Sequence, residues 1–379
     1  MHPIYLDYNA TTPVAPEVAD AMLPFLHSHF GNPSSSHGFG QIAAQAVRES
    51  REQVAALIGA QPEEIVFTGC ATEANNIALL GTVAAATSGK RHLIVSAVEH
   101  PAVMQPALHL RDTGWDVSVI PVDVHGRVSP GDVQAALRPG TLLVSIMHAN
   151  NEVGTIQPVE EIAAITRPRG ILLHTDAAQS AGKIDVNVAT LGVNLLTLAG
   201  HKFYATKGIG ALYVRKGTAI RGISFGGEQE RGLRPGTENV PAIVGFGVAA
   251  RLARERLPAA TAHLRRMRDS LHAQLAEAIP GLAVNGHPDH RLPNTLHVSF
   301  PGVSGQALLQ AASADVAASV GSACHSAHDT VSGVLAAMGL NSLRAAGAVR
   351  LSVGTMTNEA DIARAAEALI GGWRRMAGQ

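Results

Sequence analysis

Seven short apolar runs constrain the fold of this chain more than any other feature: residues 65–67, 93–95, 117–120, 142–146, 171–174, 195–198 and 211–214. Each is rich in Val, Ile and Leu, and most of the intervals between them are long enough to hold a helix. Such runs are strands buried on both faces, as happens when helices cover a mainly parallel sheet. The last two are joined by a short glycine-containing loop, which suits an antiparallel pair. Upstream, Ala43, Val47, Ser50, Val54 and Leu57 recur three and four apart and predict a helix. Residues 31–36 read as loop from their turn residues.

The character of the chain changes near Pro258. Leu264, Met267, Leu271, Leu275 and Ile279 mark one face of an amphipathic helix. A strand over 295–300, an alanine-rich helix, a strand over 350–353 and a last helix from about Glu359 follow. Strands and helices in that order predict a smaller α+β unit. The expected division is a large α/β domain over 15–257 and a small one made of 1–14 and 258–379.

Composition excludes several classes. A net charge of −1 and a pI near 7.0 offer no basic field for nucleic acid and no polybasic segment for a membrane. No apolar run reaches the length of a membrane span, and the N-terminal residues lack the layout of a secretory signal. The two cysteines, Cys70 and Cys324, are far apart, which excludes a disulfide framework and a cysteine-rich metal site. The expectation is a cytoplasmic protein with no metal, whose cysteine chemistry belongs to single thiols.

Polar residues gather where the expected strands end. The first run leads into Thr68–Asn76, with Thr72 as a candidate N-cap and free N–H groups for a phosphate. The second leads to Glu99 and His100, the fourth to His148–Glu152, the fifth to Asp176 and Gln179, and the sixth to Gly200, His201 and Lys202. Lys202 is one of only five lysines among 29 basic residues, and a lysine can form a Schiff base with an aldehyde where an arginine cannot. Each feature alone has an ordinary structural explanation. Together, on one edge of one sheet, they meet the needs of pyridoxal 5'-phosphate: an amine for the aldehyde, a helix start for the phosphate and a carboxylate for the ring nitrogen.

The motifs LDYNATTP, GNPSSSH, ATEANN, EHPAV, MHANNEVGTIQP, HTDAAQSAGK, GHKFYATKGIGALYVR, GGEQERGLRPGTEN, GSACHS and VRLSVG run nearly end to end through the chain. In them it resembles the NifS-type cysteine desulfurases and the related selenocysteine lyases, within the class V, fold-type-I pyridoxal phosphate enzymes. The resemblance implies a seven-stranded, mainly parallel sheet with a smaller α+β domain. It implies that Lys202 carries the cofactor and later takes the substrate Cα proton. Asp176 would pair with the ring nitrogen and His100 would stack on the ring. Asn151 and Gln179 would bond the ring hydroxyl, and Ala71, Thr72 and His201 would hold the phosphate. Thr237 would reach that phosphate from the second subunit of a homodimer. Arg350, with Asn151 nearby, would take the substrate carboxylate.

Cys324 would be the nucleophile that receives sulfur from L-cysteine as a persulfide and passes it to an acceptor such as an iron–sulfur scaffold protein. His325 and His328 follow closely, either as groups that favour the thiolate or as solvated loop residues. The sequence departs from the family at Ala199, where many relatives have a hydroxyl residue, at Ala205-Thr206-Lys207-Gly208, at Arg-Pro-Gly-Thr and at His-Ser-Ala-His-Asp. Of its features, Ala199, Arg-Pro-Gly-Thr-Glu-Asn and Ala-Cys-His-Ser lean toward the selenocysteine lyases. Cys70 reads as a small buried residue, with a second reactive thiol as the alternative. Alternatives to the desulfurase are a selenocysteine lyase acting on L-selenocysteine, an aminotransferase on the same fold, and a non-catalytic sulfur-relay scaffold.

Overall fold

The computed structural model describes residues 2–86, 89–321 and 332–378. All seven apolar runs form strands, and they lie in one sheet. Counting β1 as Ile4–Tyr5, the sheet comprises β2 (Ile65–Thr68), β3 (His92–Ser96), β4 (Asp116–Ile120), β5 (Thr141–Ser145), β6 (Leu172–Asp176), β7 (Leu195–Ala199) and β8 (Gly210–Val214). Their spatial order is β2-β8-β7-β6-β5-β3-β4. Only β8 runs against the rest, antiparallel to both neighbours, Thr68 facing Gly210 on one side and Ala199 on the other. The carboxyl ends of β2, β3, β5, β6 and β7 therefore share one edge with the start of β8.

The strands are apolar on both faces because both faces are covered. Along β3, Leu93 and Val95 enter one core cluster and Ile94 enters the other, as the two-residue period of a strand requires.

A second, three-stranded antiparallel sheet has the order β12-β10-β9, from Ala348–Ser352, Thr295–Ser299 and Ala283–Asn285. It packs with the last helix, Glu359–Ala377, around Leu296, Val298, Leu351, Leu369 and Trp373. The N-terminal strand β1 pairs with β11, Val316–Ala317, and Asp7 bridges to Ser352. The chain then crosses back to the large sheet, where Thr12 and Ala15 donate their N–H groups to the carbonyls of His201 and Tyr204.

One helix, Val240–Ala278, spans 39 residues and serves both cores. Ile243, Phe246 and Ala250 pack beneath the large sheet, whereas Leu264, Met267, Leu271 and Leu275 pack beside the small one. The change of character at Pro258 is thus no break in the chain. Pro258 lies inside the helix on an exposed turn, where water can satisfy the carbonyl that the missing N–H leaves.

Candidate active site

The helix after β2, Ala71–Asn76, is capped by Cys70 in extended conformation with no side-chain bond to the first turn. This corrects the expectation that Thr72 is the cap: Thr72 lies within the first turn, and it is exposed. Cys70 is likewise exposed, a free thiol and not a buried small residue. The first-turn N–H groups of a helix have no partner within it, so Ala71 and Thr72 present donors at this edge. The turn itself is tightly held. Glu73 accepts from the N–H of Gly69 and from Arg234 Nε at 3.1 Å. Gly210 backs the same turn so closely that a Cβ there would lie 2.9 Å from the Cys70 carbonyl carbon and 3.0 Å from the Ala71 nitrogen.

From β3, Ser96 and Glu99 lead into His100, which caps the helix Pro101–Asp112 by accepting the Ala102 N–H at Nδ1, 3.1 Å away. That bond leaves the imidazole proton on Nε2. Burial lowers the His100 pKa, the Asp176 charge opposes this, and the Lys202 charge reinforces it, so all three groups lie within electrostatic reach. Glu99 is fully enclosed. Its Oε1 accepts from Ser96 Oγ at 2.6 Å and from the Met147 N–H at 2.9 Å, while Oε2 has no partner among the described residues. Burial pushes its pKa up to about 8, further raised by the Asp176 charge and opposed by those two bonds.

Asp176 ends β6 with its carboxylate buried. Oδ2 accepts from Asn75 Nδ2 at 2.7 Å, and Oδ1 from the Ala178 N–H at 2.9 Å. Gln179 donates Nε2 to the Asn9 carbonyl at 2.9 Å and accepts at Oε1 from Lys183 Nζ at 3.0 Å. Lys183 is buried, and its pKa is lowered to about 7 by burial and then by the charges of Lys202 and Arg350. Lys202 stands in the turn after β7, donating to the carbonyls of Asn9 and Ala10 at 2.6 and 2.7 Å. His201 beside it meets Thr11 Oγ1 at 3.2 Å, and burial followed by the Lys202 charge lowers its pKa to about 4. His148 and His174 are structural: each bonds a serine hydroxyl, Ser180 and Ser145, and burial brings each to about 4.

Asn9 links these groups to the small sheet. Besides receiving Lys202 and Gln179 at its carbonyl, it donates Nδ2 to the Asn151 carbonyl at 3.2 Å and to Thr295 Oγ1 at 2.8 Å. The Asn151 carbonyl also accepts from Arg350 Nη1 at 2.9 Å. Lys202, Gln179, Asn151 and Arg350 are therefore joined through one asparagine. Thr237 is exposed, on the segment that Arg234 pins to Glu73. Cys324, His325 and His328 lie outside the described residues.

The sequence reading did not single out Asn9, Asn75, Lys183 or Asp7, which bonds Arg350 Nη2 at 2.7 Å. All four stand within its quoted motifs. The only further signal was the four-residue spacing of Gln179 and Lys183.

Residues 4–365 match the family described as aminotransferase class-V. The chain is 46% identical over 370 residues to a cysteine desulfurase of Trichormus azollae, an alignment covering 97% of this chain and 92% of that one. Among solved structures it matches a NifS-like protein with a TM-score of 0.92 and 38% identity, over 98% of this chain and 99% of the other. It also matches SspA in complex with cysteine, with a TM-score of 0.84 and 38% identity over 92% and 98% of the two chains. Among the described residues no helix is long and apolar enough to cross a membrane, and no cluster of His, Cys, Asp and Glu fits a metal ion.

Proposed function

The chain belongs to the aminotransferase class-V family, and from that premise we propose that it is a pyridoxal phosphate-dependent cysteine desulfurase with Cys324 as its sulfur carrier. The observation that carries this reading is the convergence on Asn9 of Lys202, Gln179 and, through Asn151, Arg350. The donor set fits the cofactor: an amine at a strand exit, a buried carboxylate, and the unpartnered N–H groups of a helix start.

Lys202 would hold the cofactor's aldehyde carbon, and its amine, once released, is the base for the Cα proton. Asp176, kept in place by Asn75 and Ala178, would hold a proton at the ring nitrogen. His100 would cover the ring and exclude water from it. Gln179 and Asn151 would meet the ring oxygen; one Nε2 proton of Gln179 is already committed to Asn9, and the second is a donor. Ala71, Thr72 and His201 would receive the phosphate, with Thr237 supplied by the second subunit of a homodimer. When bound, the cofactor supplies an electron sink for the charge left at Cα.

Arg350 would bind the substrate carboxylate, a task suited to its planar fork. The Cys324 thiolate then attacks the substrate sulfur. The Cβ–S bond breaks with its electron pair remaining on the carbon side, a persulfide forms on Cys324, and proton uptake yields L-alanine. The terminal sulfur goes on to an acceptor protein of the iron–sulfur scaffold kind.

Product analysis with L-cysteine and L-selenocysteine, wild type against Cys324→Ala, tests the proposal. The expected result is alanine from both substrates in the wild type and loss of the cysteine reaction in the variant. A variant that still processes cysteine at the wild-type rate removes Cys324 from the mechanism. An enzyme active on selenocysteine alone is a selenocysteine lyase, and transamination of added keto acids would make it an aminotransferase.

A further inference from the structure

Arg350 lies on β12 with its side chain 3% exposed. Nη1 donates to the Asn151 carbonyl at 2.9 Å, Nη2 donates to Asp7 Oδ1 at 2.7 Å, and the buried Nε has no partner among the described residues. A guanidinium offers a carboxylate two forks, the Nη1–Nη2 end and the Nε–Nη2 side. The end is closed, because Nη1 is committed to a backbone carbonyl that also accepts from Asn9 Nδ2 and lies within the Asx turn at Asn150. The side fork remains, with Nε open and Nη2 held by Asp7.

We propose that Asp7 and the α-carboxylate of the substrate contend for the Nε–Nη2 side of Arg350, so that Asp7 is an internal counter-ion the substrate must displace. The inference rests on Arg350 as the carboxylate-binding residue. Its physical basis is charge balance. A buried cation without a partner is strongly disfavoured, which gives Asp7 its structural role. Two carboxylates on one buried guanidinium would repel each other, so arrival of one loosens the other. Asp7 has a way out: its side chain is 20% exposed, whereas that of Arg350 is not. Lys183 and Lys202 stand within electrostatic reach of each other, and Arg350 within reach of Lys183, so the neighbourhood tolerates a second anion long enough for the exchange. Asp7 thereby acts on substrate affinity through Arg350, as a positioning residue.

The test uses purified holoenzyme carrying Asp7→Asn, Asp7→Ser or Arg350→Lys. For each, KM and kcat for L-cysteine are measured, with the dissociation constant of L-alanine from its effect on the visible spectrum. Removing the Asp7 charge should lower both KM and the L-alanine constant by at least about fivefold, with kcat little changed, because both ligands carry the same carboxylate. Arg350→Lys should raise both. A KM in the Asp7 variants that is unchanged or raised, beside a raised KM in Arg350→Lys, overturns the competition and leaves Arg350 in its role. An unchanged KM in Arg350→Lys overturns both. The serine variant keeps a hydrogen-bonding group on the guanidinium, and gives the same readout should the asparagine variant fail to fold.

Discussion

Asn75 donates its side-chain amide to Asp176 at 2.7 Å, from the first helix after β2 to the end of β6. The two residues come from opposite sides of β7 and β8 in the sheet order, so the bond ties the helix that would hold a phosphate to the carboxylate that would hold a ring nitrogen. Replacing Asp176 by Asn removes the charge while keeping the shape. Desulfurase activity should then fall at least about a hundredfold, with the protein still binding cofactor. Titration of the visible spectrum, roughly 420 nm for the lysine-bound form, checks that binding directly. Asn75→Ala should lower activity in the same sense but less, since Ala178 still donates to Oδ1.

Glu99 gives a pH signature of stability. Its folded pKa is raised from 4.5 to about 8, with burial the chief cause. The native state therefore holds a proton that the unfolded chain releases, so this group's contribution is fully present below pH 4.5 and is lost as pH rises to about 8. Glu99→Gln copies the neutral acid and keeps an acceptor for Ser96 and Met147. The difference in melting temperature between variant and wild type should be small near pH 4.5, grow in the variant's favour and level off above pH 8. A difference independent of pH would mean that Glu99 is ionised in the fold.

Gly210→Ala should weaken cofactor binding. The added Cβ would meet the Leu198 carbonyl oxygen at 2.7 Å and the backbone of Cys70 and Ala71 at 2.9 and 3.0 Å. Backbone cannot step aside as a side-chain tip can. The helix start must shift, and the pyridoxal phosphate dissociation constant should rise about tenfold, as measured by equilibrium dialysis. Gly38→Ala, where nothing lies within 4 Å, is the matched control and should leave the constant unchanged.

Glu230 is a buried carboxylate that should prove important for stability. Its carboxylate takes Arg51 at 2.6 and 2.8 Å and the Phe67 N–H at 2.9 Å. Phe67 is on the edge strand β2, so this bond also satisfies an N–H the sheet leaves unpaired. The loop that delivers it is strained, with Glu230 and Arg231 both at positive φ, 47° and 60°. Glu230→Ala leaves a largely buried arginine without its counter-charge and should cost about 3 kcal/mol in urea unfolding.

The sheet was legible in the sequence because seven doubly buried strands cannot avoid apolar runs. The antiparallel β7–β8 pair was legible from the shortness of its connection. The two- and three-residue strands β1, β9 and β11 carry too few residues for any period to show. The helix through Pro258 was hidden because an exposed proline reads as a break when the tertiary support on either side of it is unseen. At the site, the polar residues at strand exits were visible, and the structure gathers Lys202, Gln179, Asn151 and Arg350 around Asn9. The partners of those residues were not visible. That Asp7 meets Arg350 and Asn75 meets Asp176 depends on segments 343 and 101 residues apart in sequence, a distance no local pattern records. Thr72 was misplaced as a cap because hydroxyl preference says nothing about which residue leaves the extended conformation.

The helix Val240–Ala278 has a consequence for how the molecule comes apart. Its two halves belong to different cores, and a helix cannot lose one half without exposing backbone at the break. Neither core has a private structural ending. Damage to Phe246 under the large sheet and damage to Leu271 beside the small one should be felt in a single shared unravelling, as two faults in one beam.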